Sequence, residues 1–128
     1  MVAAEFPLRD WMGLELDPAT DGRSRGHVDV AELHHNPNGV AHGAVVFALV
    51  DTAMGSAAMS VLEAGQACAT LDIHLRFLRP VLAGRITADV RVVHRSRRFV
   101  HLSAEVTDAD DRLVATATGA FAVLGDPT

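Results

Sequence analysis

Residues 43–62 read GAVVFALVDTAMGSAAMSVL, a stretch of apolar and small residues with one charged exception, Asp51. An anionic side chain buried in such a stretch is costly unless it is paired or put to use. Asp51 is thus either a carboxylate bonded to a neighbouring hydroxyl or arginine, or a group that moves a proton or attacks a substrate. The stretch is preceded by Asn36-Pro-Asn-Gly-Val-Ala-His42-Gly43. If a helix begins at Gly43, its first N–H groups lack intrahelical partners and its dipole favours negative charge. A glycine there admits close approach of a ligand to the backbone. That combination can polarise a carbonyl whose oxygen becomes an oxyanion. The plainer alternative is that Gly39 and Gly43 only shape a turn.

The spacing adds a constraint. Gly43 and Asp51 are eight residues apart, about 12 Å along a helix axis. One carbonyl carbon cannot be held by the first and attacked through the second in the same chain. Two such helices packed antiparallel about a two-fold axis would close the gap, with Gly43 of one facing Asp51 of the other. If this pair is catalytic, the protein is at least a dimer with sites at the interface.

The elements that must position these groups follow from patterning. Residues 5–12 suit a short helix, and 13–17 and 25–33 suit two short strands separated by the turn-rich DPATDGRSRG. Residues 36–43 are loop, rich in Asn, Pro and Gly. Residues 43–62 are too long for a typical strand and rich in alanine, so they predict a helix. Because it is apolar all round, it reads as a buried central helix, with Gly65 as its stop. Four strands follow: 66–78, closed by Arg79-Pro80; 84–94; 99–107; and 112–124. Four consecutive strands predict an antiparallel meander. The whole is α+β: one long central helix wrapped by a curved antiparallel sheet of about six strands.

Composition bounds the possibilities. The 128 residues suit a single domain, 1–128, and 49% hydrophobic content excludes a disordered chain. A chain of this size folds without disulfides or a structural metal. Eleven basic residues against 16 acidic ones give a net charge of -5, which argues against a general nucleic-acid partner. The one cysteine, Cys68, excludes an intramolecular disulfide and a multi-cysteine metal site. The opening MVAAEFPLRD carries Glu5 and Asp10 and does not read as a signal peptide. Residues 44–50 are too short an apolar run to span a membrane. A soluble cytoplasmic protein is expected.

Taken together, Asn36-x-x-Gly39-x-x-His42-Gly43 with Asp51 eight residues on, and the run TLDIHLRFLRP from Thr70 to Pro80, resemble the hotdog-fold acyl-CoA thioesterases of the phenylacetate-pathway (PaaI) type. One departure is Ala44, where that family usually has a second glycine. The resemblance implies a hotdog fold and hydrolysis of an acyl-CoA to a free acid and CoA, with no cofactor and no metal. It implies roles for five residues. Asp51 would be general base or nucleophile, and the Gly43 N–H would bind the thioester oxygen. Asn36 and His42 would orient the carbonyl or the water, and Thr70 would hold the attacking water from the strand side. It also implies a homodimer with shared sites, commonly paired into a tetramer. Aromatic acyl groups come first as substrates, medium-chain ones next.

Charge placement bears on the CoA. Between Arg76 and Arg98 stand seven arginines and one acid, Asp89. Arg95, Ser96, Arg97 and Arg98 sit at a strand turn where guanidinium groups and a hydroxyl could grip phosphates. The resemblance places nucleotide contacts there and near Arg79. The alternative is a solvated sheet edge protected by charge. His34, His35 and His42 lack the accompanying ligand spacing of a metal site. A hotdog enoyl-CoA hydratase or dehydratase would need another acid–histidine signature. A non-catalytic acyl-CoA-binding protein would have no need of Asp51.

Overall fold

The computed structural model describes residues 5–128; residues 1–4, the start of the amino-terminal segment, lie outside the described residues. Helix α1 (Pro7–Met12) has proline in its first turn and ends on Gly13 at φ 68°. Strand β1 is only Glu15–Leu16. Strand β2 (Arg23–Val30) alternates, burying Ser24, Gly26, Val28 and Val30 and exposing Arg23, Arg25 and Asp29. It stops short of the expected residue 33 because Glu32–His34 wind into a 3-10 turn. The His34 ring takes up the Ala31 N–H at 3.0 Å, a local bond that replaces the ladder.

The central helix α2 runs Gly43–Met59, three residues shorter than the pattern predicts. At Ser60 the hydroxyl donates to the Ala57 carbonyl at 2.6 Å and accepts the Gly22 N–H at 2.8 Å, drawing the chain toward the start of β2. Then come β3 (Ala67–Phe77), β4 (Gly84–Arg95), β5 (Phe99–Thr107) and β6 (Leu113–Leu124).

The sheet is antiparallel with order β1-β2-β4-β5-β6-β3. This corrects the meander expected from sequence: β4, β5 and β6 follow one another, but β3 lies at the far edge beside β6. Its exit explains why. The Leu78 and Arg79 N–H groups both reach the Val114 carbonyl, and Pro80 has no N–H to start a hairpin. The chain then crosses the end of the sheet, with the Val81 carbonyl accepting the Ala41 N–H at 2.8 Å. One long helix packed on one antiparallel sheet in this order is the hotdog fold. Among the described residues no helix is long and apolar enough to cross a membrane.

Helix α2 buries Val45, Val46, Leu49, Val50, Ala53, Met54, Ala57 and Ala58 against the inner sheet face, where Val28, Ile86, Leu102, Val114 and Phe121 also lie buried. Gly119 permits close approach, since a Cβ there would come within 2.8 Å of the Met54 sulfur. The helix is not covered all round, as its composition had suggested. Phe47 and Met59 stay 41% and 47% exposed on the side away from the sheet.

Leu49 is fully buried. Leu49→Ala should lower the unfolding free energy by about 2–5 kcal/mol, read as a shifted urea midpoint with unchanged slope. Arg85→Ala, which breaks an exposed pair with Asp29, should leave that midpoint nearly unchanged.

Candidate active site

The start of α2 is built by a loop that satisfies its own polar groups. Asn36 donates its N–H to the Val40 carbonyl and accepts the Gly39 N–H on its own carbonyl. Its side-chain oxygen accepts the Asn38 N–H at 2.9 Å, an Asx turn that leaves the amide NH2 as its remaining donor. Gly39 sits at φ 76°, a conformation glycine adopts freely. His42 is the N-cap, and its Nδ1 accepts the Ala44 N–H at 2.9 Å. The proton of the neutral ring is then on Nε2. The Val45 N–H bonds the His42 carbonyl at 2.9 Å. Of these amides, that of Gly43 is taken up by no hydrogen bond among the described residues. It is the donor a ligand oxygen can use.

Asn36, Gly43 and Arg79 line one cleft of about 430 Å³ together with Val46, Phe77 and Val81. A Cβ on Gly43 would lie 3.0 Å from the Phe77 ring. Glycine at 43 thus serves two ends: an accessible N–H, and room for Phe77 to close on the helix start. Sequence reasoning missed Phe77, because nothing in its place within β3 distinguishes it from a core aromatic.

Asp51 lies farther along the same helix, half-buried. The Thr70 hydroxyl donates to its Oδ1 at 2.7 Å. The pairing of β3 with β6 slips between Thr70 and Asp72, so Leu71 is a bulge beside the contact. No arginine pairs with Asp51 among the described residues. The carboxylate is therefore held by one hydroxyl and keeps an oxygen for other work. Cys68, two residues before Thr70, has its thiol pushed up by burial and further by the charge of Asp51. It stays protonated near neutrality and is no competing nucleophile.

The arginines divide. Arg79 is in the Gly43 cleft. Arg95, Arg97 and Arg98 line a second hollow of about 730 Å³ with Glu63, Gln66 and Asp126. This hollow is level with the Asp51 end of the sheet, because Thr70, Phe121, Val100 and Arg95 follow one another across paired strands. Arg95 donates to Gln66 at 3.1 Å, while its buried Nε has no partner among the described residues. Ser96 is already engaged: its hydroxyl accepts the Phe99 N–H at 3.2 Å, closing the turn. The rings of His34 and His35 are separately occupied, His34 Nε2 donating to the Met12 carbonyl and His35 Nε2 to the Leu82 carbonyl.

One helix thus presents an unused N–H at its start and a hydroxyl-bonded carboxylate two turns on, groups able to polarise a carbonyl and to activate water. The thioesterase superfamily model matches residues 38–115, and the chain belongs to that superfamily. A conserved Pseudomonas aeruginosa protein of known structure is 32% identical, superimposes with TM-score 0.87, and covers 97% of this chain and 96% of its own. The Escherichia coli PaaI protein of the phenylacetic acid degradation operon is 25% identical with TM-score 0.86, covering 96% and 88%. The 1,4-dihydroxy-2-naphthoyl-CoA hydrolase of Listeria monocytogenes is 25% identical over 91% of this chain and 94% of its own.

The Cys68 thiol reports on the neighbouring charge. Its alkylation rate should rise with pH through a midpoint above the ordinary thiol range, and Asp51→Asn should move that midpoint down. Rates measured across pH for both proteins check this.

Proposed function

We propose that this protein is a cytoplasmic acyl-CoA thioesterase of the PaaI type, working as a homodimer whose sites are shared. The observation that carries the reading is the free Gly43 N–H and the half-buried Asp51 carboxylate on one helix, about 12 Å apart. A two-fold mate whose helix runs antiparallel supplies what each chain lacks. The open side of α2 suits such a mate: Ala44, Phe47, Ala48, Asp51, Gly55 and Met59 are none of them fully buried, and several are small. The free edge of β3, with Leu71 55% exposed, offers backbone groups to the same neighbour. Pairing of two such dimers would give the tetramer common to the type.

In the reaction the thioester oxygen accepts the Gly43 N–H of one protomer. Asp51 of the other takes a proton from water as the oxygen attacks, or attacks the carbonyl itself and is released by water. The tetrahedral intermediate collapses with loss of the CoA thiolate, which leaves readily and takes up the proton. Thr70 fixes the Asp51 carboxylate through its hydroxyl, which differs from the direct hold on water expected from the resemblance. His42, through Nε2–H, and Asn36, through its NH2, orient the carbonyl or the water. The two-fold also brings Arg79 of one chain toward Arg95, Arg97 and Arg98 of the other, a cationic rim for the CoA phosphates; Ser96 shapes that turn. The naphthoyl-CoA substrate of the Listeria relative supports an aromatic acyl group as first choice.

Thiol release from a panel of aromatic and aliphatic acyl-CoAs tests the activity. Asp51→Asn should fold and dimerise yet lose about 10²–10⁴ in turnover; near-normal hydrolysis would remove Asp51 from the mechanism, and hydration of an enoyl-CoA or tight binding without thiol release would replace the reading.

Gly43→Pro tests the shared site. Proline is favoured at a first helical position, and His42 at ψ 139° already has the backbone of a residue before proline. The variant should keep its fold, with the Phe77 ring, 3.0 Å from a Cβ at 43, giving way by a few tenths of an ångström, and lose about 10²–10³ in kcat with the missing donor. Co-expressed with Asp51→Asn, it should regain activity, because the mixed dimer holds one site with both groups. Absence of recovery in a demonstrated mixed dimer would place both groups in the same chain.

A further inference from the structure

We propose that His34 is a positioning residue for the thioester-binding start of α2, an inference that rests on the reading of Gly43 as the oxyanion donor. His34 is 4% exposed, and it and Ser24 are the buried polar side chains of the described core. Every polar atom of its ring is used. Nδ1 accepts the Ala31 N–H at 3.0 Å, and Nε2 donates to the Met12 carbonyl at 2.9 Å. Those partners belong to different elements: Ala31 follows β2, and Met12 is the last residue of α1. The same residue's backbone carbonyl accepts the His42 N–H at 2.8 Å.

His42 in turn caps α2 through Nδ1 and leaves the Gly43 N–H free. The chain of contacts is short: ring to two rigid elements, carbonyl to the N-cap, N-cap to the donor amide. Two bonds on the ring fix where the His34 carbonyl points, and that carbonyl fixes the peptide entering Gly43. An oxyanion donor works only if held to a fraction of an ångström. His35 braces the loop from the opposite side through Leu82, and the Ala41 N–H ties it to Val81. The adjacent histidines that could be mistaken in sequence for metal ligands are, in this reading, two struts of one loop.

The test uses His34→Asn and His34→Gln in the full chain. Asn can keep the acceptor toward Ala31, and Gln can keep the donor toward Met12, so each removes one strut without emptying the site. Amide hydrogen exchange by NMR, thermal midpoints, and kcat and KM for the best acyl-CoA are measured beside wild type and Asp51→Asn. Both variants should stay folded. Exchange at the His42 and Ala44 amides should quicken at least tenfold more than in the middle of α2. Turnover, kcat, should fall about ten- to a hundredfold, with KM within threefold.

Folded variants with wild-type exchange at His42 and wild-type kcat overturn the proposal. So does faster exchange spread evenly over α2 with kcat unchanged per folded molecule, which is the signature of a merely structural residue. Local loosening at His42 without loss of kcat also overturns it. If Asp51→Asn abolishes hydrolysis while both His34 variants retain it, the positioning role fails and the thioesterase reading stands. If wild type itself cleaves no thioester, the reading fails and the positioning role falls with it.

Discussion

A straight helix cannot fold back on itself, so its first amide and a carboxylate two turns later never meet in one chain. That distance, about 12 Å between Gly43 and Asp51, is set by the helix on which both residues stand. The helix is held straight by packing: Leu49, Val50, Ala53, Met54, Ala57 and Ala58 are all fully buried against the sheet. The opposite side carries Asp51 among small residues and exposed Phe47 and Met59. Burial on one side fixes the spacing, and burial on the other is incomplete. The two arginine groups obey the same geometry, since they lie at opposite ends of β3.

The helix start shows how much structure is needed to leave one N–H unused. Val45 and Ala44 are satisfied by His42, and the loop behind them closes on itself through Asn36, Gly39 and Val40. Phe77 then closes over the position where any side chain on residue 43 would stand. An amide left without a partner is costly when buried, and its place at the mouth of a cleft keeps that cost low. At Asp51 the Thr70 hydroxyl performs the complementary task, fixing one carboxylate oxygen beside a bulge that turns β3 locally.

The fold class was legible because its signals are local. Strand alternation in residues 84–95 and 99–107, and the alanine-rich apolar run of α2, need only the period of the chain. The loop and Asp51 were legible as a spaced motif resembling thioesterases. The place of β3 was not, because pairing order depends on how a proline-closed exit crosses the sheet and not on the composition of the strand. The Ser96 hydroxyl accepts the Phe99 N–H across its turn, a bond that residue type alone does not reveal. The two histidines before Asn36 gave no sign of their partners, Met12 and Leu82, which are distant in sequence.

By itself the sequence determined the elements, the acidic residue in an apolar helix, and the eight-residue interval that separates it from Gly43. These are matters of residue type and helical rise. Tertiary structure alone decided that Thr70 meets Asp51, that Phe77 covers Gly43, and that one side of α2 stays open. Each of these depends on which edge of the sheet β3 occupies, and that is settled by long-range backbone pairing that no local pattern encodes.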